Sequence, residues 1–208
     1  MAYNNLFFRL LFSLLFFIIY FIAFSNKYLL FILGTSIYLI TFYEIIKFFR
    51  NFAKLILFYL FISYLSFALY FLFYFDYFIF NLFIFTIIFF DSFSYLTGTF
   101  FGKNYIFSSL SPKKTLEGYI GGFIFTNIFV FIYLFLIQEV TVSIQFVMLI
   151  NFTIVISIVG DLSESFFKRK NNIKDSSNYL PGHGGFFDRF DSFIASIIFL
   201  SIFGSFYL

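Results

Sequence analysis

Long apolar stretches alternate with short polar segments along the whole chain. A helix needs about 20 residues to cross the hydrocarbon core of a bilayer. Stretches close to that length cover residues 6–24, 28–46, 55–75, 77–100, 118–137, 141–160 and 190–208. The pattern predicts an all-α integral membrane protein, a polytopic bundle of about seven transmembrane helices.

Composition supports a membrane environment and excludes several classes of site. The chain is 62% hydrophobic and contains 44 Phe, which leaves too few polar groups to cover a globule in water. It contains no cysteine, so it can form neither disulfides nor thiolate metal sites. The net charge of +3 is small and no basic soluble face is evident, so we expect no nucleic-acid partner.

The distribution of Lys and Arg predicts the orientation of the chain in the membrane. Cytoplasmic connections between helices concentrate these residues. With the N-terminus inside and the C-terminus outside, all of them except Lys27 fall on the cytoplasmic side. This orientation also places the polar segments 101–117 and 161–189 on one face, where we expect them to meet in a single site.

We interpret the chain as one membrane domain covering residues 1–208. Residues 1–76 form variable N-terminal spans without a recognisable motif, and residues 77–208 form a catalytic half that carries the two polar segments. The window 160–192 contains half of the ten acidic residues and the only histidine. We therefore expect the chemistry of the protein to lie in this window.

The acidic residues of the window are spaced to share helix faces. Asp161, Glu164 and Ser165 follow an i, i+3, i+4 pattern where the sixth stretch ends, and Asp188 and Asp191 are three residues apart where the seventh begins. A carboxylate at the centre of a membrane helix costs roughly 2.5 to 3.5 kcal/mol, so several together need partners. Hard divalent cations, which prefer oxygen ligands, are suitable partners for these carboxylates.

Three acids, Asp91, Glu117 and the Glu164 already named, are interpreted separately. Asp91 lies deep in an apolar stretch, where an ionisable residue is functional by default. Glu117 and Glu164 are interpreted as solvated helix ends and stay outside the predicted site.

Positive side chains and glycines of the kind that bind phosphate surround the acids. They are Lys168, Arg169, Lys170, Lys174, Arg189, Gly182, Gly184 and Gly185. The other polar segment contains SPKKTLEG at 111–118, in which Pro112 is suited to begin a helix whose N–H groups face an anion. Together these residues predict Mg²⁺ and a phosphorylated substrate.

Judged by residue type alone, the same residues could also have roles that involve no ligand or catalysis. His183 between glycines is typical of a surface turn, and the basic run at 168–170 is also the usual topology signal. Lys174 and Asp175 are compatible with a local ion pair of little energetic value.

The segment SFFKRKNNIKDSSNYLPGHGGFFDRFDS at 165–192 resembles the signature of the phosphatidate cytidylyltransferase family, also called CDP-diacylglycerol synthases. The Ser, the KR pair, the KD pair, PGHGG and DRxD all occur in order. GDL at 160–162, SPKKT at 111–115 and DSFSYLTGTFFGK at 91–103 resemble further blocks of the same family. The chain departs from the family pattern at Ser94, where Ala is usual, and at Leu116, where Trp is usual.

The resemblance implies transfer of CMP from CTP to phosphatidate, giving CDP-diacylglycerol and pyrophosphate in a Mg²⁺-dependent step of phospholipid biosynthesis. It leaves open a monovalent cation beside the Mg²⁺ and a homodimeric assembly. It also implies a bacterial-type inner membrane, or an equivalent organelle membrane, with the active site on the cytoplasmic side.

The resemblance further implies the roles of individual residues. Asp161, Asp188, Lys174 and Asp175 would be catalytic, and Asp161, Asp188 and Asp191 would be the metal ligands. Residues implied in binding CTP or the lipid phosphate are Asp91, Ser111, Lys113, Lys114, Thr115, Ser165, Lys168, Arg169, His183, Gly184, Gly185 and Arg189.

Two other functions are weighed against this one. A CTP-dependent kinase of a polyprenol or phytol-type alcohol would use the same nucleotide, but the complete motif run argues against it. A channel or transporter should distribute its acids across the bilayer, whereas here they gather towards one face.

Overall fold

The computed structural model describes residues 2–107, 110–137, 143–180 and 184–207, with side chains from residue 11 onward except those of 13, 136, 137 and 207. Within these residues the chain forms seven α-helices. They are α1 (Ala2–Ala23), α2 (Lys27–Phe48), α3 (Ala53–Leu69), α4 (Tyr77–Phe101), α5 (Leu116–Ile132), α6 (Ile144–Lys170) and α7 (Phe187–Tyr207). A π-helical segment continues α3 through Tyr70–Tyr74, and another continues α5 through Tyr133–Ile137.

Each apolar stretch predicted from the sequence overlaps one of these helices. Six helices among the described residues, α2 to α7, are long and apolar enough to cross a membrane. In α1, the apolar segment with described side chains is shorter and covers Leu14–Ala23. The all-helical membrane fold is therefore confirmed, while a count of seven spans and the orientation of the termini stay predictions.

Polar residues at the borders of the apolar stretches cap the beginnings of three helices. The side chains of Asn26, Asp76 and Ser143 accept backbone N–H groups in the first turns of α2, α4 and α6. Two expected boundaries are wrong. Helix α6 continues to Lys170 instead of ending at residue 160, and α5 begins at Leu116, so Pro112 lies in the preceding turn. Thr115 caps α5 instead, since its hydroxyl oxygen accepts the Gly118 N–H.

Helix α7 lies at the centre of the bundle and packs against α3, α4 and α6. Several hydroxyl groups buried in these contacts bond to one another or to the backbone. Ser63 on α3 donates to the carbonyl oxygen of Ile194 and pairs with the hydroxyl of Tyr38 on α2. Ser157 on α6 pairs with Ser196 on α7. Internal pairing of this kind is required where lipid offers no hydrogen bonds.

Helices α4 and α5 approach closely because α5 carries small residues on the facing side. A Cβ atom at Gly121 would collide with the side chain of Thr97, and one at Gly122 with the side chain of Ser94. Small residues at such positions let helix backbones pack without lipid between them. The close pair fixes the polar connection between α4 and α5.

The polar connections meet at one end of the bundle. The guanidinium Nε of Arg169, near the end of α6, donates to the carbonyl oxygen of Leu110 in the α4–α5 connection at 3.2 Å. The side chain of Asn171 accepts the backbone N–H groups of Arg50 and Asn51 between α2 and α3. The expectation that segments 101–117 and 161–189 meet is therefore confirmed.

Candidate active site

Gly160 brings the acidic end of α6 against the beginning of α7. A Cβ atom at this position would lie 2.6 Å from the Cβ of Ala195 and 2.7 Å from the carbonyl oxygen of Asp191. Only glycine permits this approach without a shift of the helices. Because Asp161 and Glu164 follow directly on α6, the contact places their carboxylates beside that of Asp191.

Asp161, Glu164 and Asp191 form a compact acidic cluster. One carboxylate oxygen from each lies within 4.8 Å of the others. Asp161 and Asp191 are half-buried, and Glu164 is only 2% exposed. Like charges at this separation repel strongly unless a cation is shared between them. Three converging carboxylates are a suitable donor set for a hard divalent cation such as Mg²⁺.

Lys114 supplies positive charge to the acidic cluster from the α4–α5 connection. Its ammonium contacts the carboxylate of Asp161. Burial lowers the pKa of the Lys114 ammonium, while the carboxylates of Asp191, Asp91 and Glu164 favour its charged form. The SPKKT motif therefore contributes directly to the site, as predicted from its position on the same face.

Lys168 connects the acidic cluster to the beginning of α7. Its Nζ lies 2.6 Å from Oε1 of Glu164, one turn earlier on α6, and 2.9 Å from Oδ1 of Asp188. All three side chains are largely buried. Breaking such a pair leaves an uncompensated buried charge, which typically costs about 3 to 5 kcal/mol.

Asp188 is held by backbone groups of the connection between α6 and α7, which the structure describes at residues 171–180 and 184–186. Its Oδ2 accepts the backbone N–H of Ser176 at 2.9 Å and that of Gly185 at 2.8 Å. Gly184 adopts a φ of 86°, and a Cβ there would press on the same carboxylate oxygen. Asp188 lies outside the group of three carboxylates whose oxygens converge within 4.8 Å. Its assignment as a metal ligand stays a prediction.

Glu44 on α2 is a functional candidate that the sequence analysis did not identify. Its carboxylate is fully buried and accepts the backbone N–H groups of Phe186 and Phe187 and the hydroxyl of Ser176. The available signal was its position as an acid in a predicted membrane span. Its closeness to three basic residues along the chain suggested a solvated connection instead.

Glu164 was also assigned incorrectly. The expectation of a solvated helix end is wrong, because α6 extends beyond it and α7 covers it. Its i, i+3 spacing from Asp161 was the signal that could have placed it in the site. For Glu117, the carboxylate accepts the backbone N–H groups of Lys103 and Asn104, so it orders the start of the α4–α5 connection.

The predicted phosphate-binding residues divide between the site and its surroundings. Thr115 and Ser165 are buried, Ser111 is half-buried, and Lys113, Arg169 and Arg189 are exposed. Lys174 and Asp175 are exposed in the connection after α6, outside the acidic cluster. His183 lies outside the described residues.

Asp91 and Arg189 are at the polar part of a cavity of about 530 Å³ between α1, α2, α3, α4 and α7. The remaining lining is almost entirely apolar, including Phe16, Leu33 and Phe193. Asp91 is exposed to this space although it lies within a membrane-length helix. The cavity is therefore apolar over most of its lining, and its charged residue Asp91 lies close to Lys114 and Asp191.

Comparisons with known proteins match the sequence of this chain to a family of cytidylyltransferases. A model described as the cytidylyltransferase family matches residues 2–207. A phosphatidate cytidylyltransferase of Haemophilus influenzae is 41% identical over 119 residues, covering 55% of this chain and 41% of that protein.

Two further relatives carry the same name. The phosphatidate cytidylyltransferase of Staphylococcus haemolyticus is 43% identical over 112 residues, which are 52% of this chain and 42% of that protein. The one from Bacillus subtilis is 39% identical over 110 residues, which are 51% of this chain and 40% of that protein. The matched segments thus span about two fifths of the length of these curated relatives.

Proposed function

The chain belongs to the cytidylyltransferase family, and we propose that it transfers CMP from CTP to phosphatidate, giving CDP-diacylglycerol and pyrophosphate. An oxygen of the phosphatidate phosphate attacks the α-phosphorus of CTP. The new P–O bond forms as the bond from the α-phosphorus to the bridging oxygen of the β-phosphate breaks. The bonding electrons leave with pyrophosphate, so no redox partner or additional group is needed.

One observation carries this proposal: three carboxylates and two lysines from three separate chain segments converge at one end of the bundle. Both substrates are anions, and a phosphate monoester is already a competent nucleophile. The site must therefore chiefly neutralise charge and orient the reactants, which are the main sources of catalysis in phosphoryl transfer. An acidic cluster with adjoining lysines suits that task.

Mg²⁺ would be held by Asp161, Glu164 and Asp191. Asp188 would be connected to this set through Lys168, which contacts both Glu164 and Asp188. When bound, the ion would neutralise the triphosphate and stabilise the charge of the leaving pyrophosphate. The donor set fits such an ion because carboxylate oxygens are its preferred protein ligands.

Lysines and arginines next to the acidic cluster would bind the phosphates directly. Lys113 is exposed beside Lys114, and Arg169 reaches the same connection through Leu110. A guanidinium has five N–H donors, so Arg169 can bind an anion while it keeps that backbone contact. Ser111 lies half-buried in the same turn. These residues would orient the triphosphate towards the acidic cluster.

The apolar cavity would accept an acyl chain of phosphatidate. Its size and lining are typical of sites for apolar ligands, and Arg189 lies where a phosphate headgroup needs a positive partner. Asp91 lines the same end of the cavity. A lipid held in this way would present its phosphate towards the polar end of the bundle, where the nucleotide arrives.

The polar end of the bundle would face the cytoplasm of a bacterial-type inner membrane or an equivalent organelle membrane. Lys27 begins α2, whereas Lys47 and Lys54 lie at its opposite end and in the first turn of α3. Lys114, Lys168 and Arg169 contact the acidic cluster or the α4–α5 connection beside it. The positive-inside rule supports this orientation.

The test uses purified protein in vesicles with phosphatidate and CTP labelled at the α-phosphate. We expect label in the lipid fraction, release of pyrophosphate, and no labelled lipid when phosphatidate is withheld. Label that stays in soluble CDP, with phosphorylation of an added lipid alcohol, would instead identify a kinase. Ion flux that survives loss of both Asp161 and Asp188, without labelled lipid, would overturn the enzymatic assignment.

A further inference from the structure

Glu44 caps α7 from a different helix. Its Oε2 accepts the backbone N–H of Phe186 at 2.9 Å and that of Phe187 at 3.2 Å, where α7 begins. The first N–H groups of a helix have no partner within the helix, and the helix dipole favours a negative charge at that end. A side chain from α2 thus does what a residue directly before α7 usually does.

The second carboxylate oxygen of Glu44 binds the connection that precedes α7. Oε1 accepts the hydroxyl of Ser176, whose backbone N–H donates to Asp188. A Cβ atom at Gly185 would collide with both Glu44 Oε1 and the hydroxyl oxygen of Ser176. Glycine is therefore required at 185 because Glu44 occupies the space of a side chain. Glu44 and Asp188 therefore both bind this connection.

This arrangement extends from Glu44 to the acidic cluster through consecutive contacts. Ser176 links Glu44 to Asp188, and Lys168 links Asp188 to Glu164. A shift of the connection would therefore move Asp188 and release Lys168. Phosphoryl transfer is sensitive to such shifts, since a displacement of about 1 Å can lower a rate roughly 100-fold.

Glu44 itself has no direct part in the chemistry. It is fully buried, both of its oxygens bind the protein, and it lies outside the acidic cluster. We propose that Glu44 is a positioning residue for cytidylyl transfer: it fixes the α6–α7 connection and the first turn of α7, and thereby the places of Asp188 and Lys168. This role rests on the proposed function.

The first experiment compares Glu44→Ala, Glu44→Gln and the control Thr41→Ala in the labelled-CTP assay. Thr41 is equally buried one turn earlier on α2, and its hydroxyl bonds only to its own helix at Ile37. We expect Glu44→Ala to lower kcat by about 100-fold while the KM for CTP changes less than about threefold. Glu44→Gln keeps an acceptor oxygen, so it should recover most of the lost kcat, and Thr41→Ala should keep kcat near wild type.

A double-mutant cycle tests the link through Ser176. Ser176→Ala removes the hydroxyl bound by Glu44 but keeps the N–H that donates to Asp188. Combined with Glu44→Ala, it should lower kcat by clearly less than the product of the two single effects, because both changes break one contact. Strictly multiplicative effects would contradict the proposed link.

Hydrogen exchange provides a readout that does not depend on turnover. Glu44→Gln keeps an acceptor oxygen, so exchange at Phe186 and Phe187 should stay near that of the wild type. In Glu44→Ala, the amides of Phe186 and Phe187 should exchange at least about tenfold faster, while amides in the middle of α7 stay protected. Unchanged exchange in Glu44→Ala, or faster exchange in Glu44→Ala with wild-type kcat, would overturn the positioning role. A loss of kcat shared by Thr41→Ala would do the same, since it would mark general destabilisation.

The two arms also separate this proposal from the proposed function. A wild-type protein that labels no lipid overturns cytidylyl transfer and, with it, any effect of Glu44 on that reaction. The hydrogen-exchange arm still decides whether Glu44 holds the connection. A wild-type protein that labels lipid, together with unaffected Glu44 variants, overturns only the positioning role.

Discussion

Gly160 on α6 faces Asp191 on α7 so closely that a Cβ atom on Gly160 would lie 2.7 Å from the Asp191 carbonyl oxygen. This contact is the reason that acids from two helices form one cluster. It also makes the geometry of the site depend on a residue without a side chain.

Gly160→Ala should therefore lower turnover strongly. Overpacking of this kind typically costs about 1 to 3 kcal/mol and separates the helices. We expect a loss of at least about tenfold in kcat per folded molecule, measured in the labelled-CTP assay beside a thermal unfolding curve. Gly204→Ala is the matched control, because a Cβ there meets Tyr74 at 2.9 Å near the far end of α7. It should lower stability similarly and leave kcat largely intact; an equal loss of kcat would show that overpacking alone is responsible.

Glu164→Gln should weaken the response to Mg²⁺. The change keeps the shape of the side chain and removes one negative charge from the acidic cluster. We expect the Mg²⁺ concentration for half-maximal turnover to rise about tenfold or more, equivalent to about 1.4 kcal/mol of binding free energy. Glu117→Gln is the control, since its carboxylate binds the backbone of the α4–α5 connection. An unchanged Mg²⁺ dependence in Glu164→Gln would remove this residue from the ligand set.

Asp161→Asn and Asp188→Asn should differ in their effect on stability. Both should abolish measurable turnover, Asp161→Asn by weakening the metal site and Asp188→Asn by releasing Lys168. Only Asp188 is largely buried against a lysine and two backbone N–H groups, so only Asp188→Asn should clearly lower the melting temperature. Near-normal synthesis by either variant would contradict its assigned role.

Lys168→Met and Lys170→Met form a matched pair at the end of α6. Lys168 contacts Glu164 and Asp188, whereas Lys170 is exposed and lies over the ring of Phe166 at 5.5 Å. We expect Lys168→Met to lower kcat at least about 100-fold and Lys170→Met to lower it less than about threefold. Equal effects would indicate a general contribution of positive charge at the membrane surface.

Much of the fold and part of the site could be predicted from the chain alone. Apolar length gave the helices, because a span must satisfy its own backbone in lipid. The i, i+3 spacing predicted that Asp161 and Glu164 lie on one helix face. The uneven distribution of Lys and Arg predicted that the two polar segments lie at the same end of the bundle. The motif run at 165–192 indicated the family that the comparisons then matched.

The choice of partners within the site could not be predicted in the same way. Asp161, Asp188 and Asp191 were expected to be the metal ligands. The structure adds Glu164 to Asp161 and Asp191 in one acidic cluster, and the assignment of Asp188 stays a prediction. Glu44 was not identified as a site residue from the sequence, and the structure shows that it caps α7. Spacing within one helix determines which residues share a face, but not which face of another helix meets it.

The sequence by itself determined that the protein lies in a membrane, where its helices run, and which acidic and basic residues lie at one end of the helices. It could do so because hydrophobic length and charge act locally along the chain. Only the tertiary structure decided that Asp161, Glu164 and Asp191 face one another and that Glu44 binds backbone N–H groups instead. That decision depends on helix packing at Gly160 and Gly185, where the absence of a side chain matters only once a neighbouring residue occupies the space.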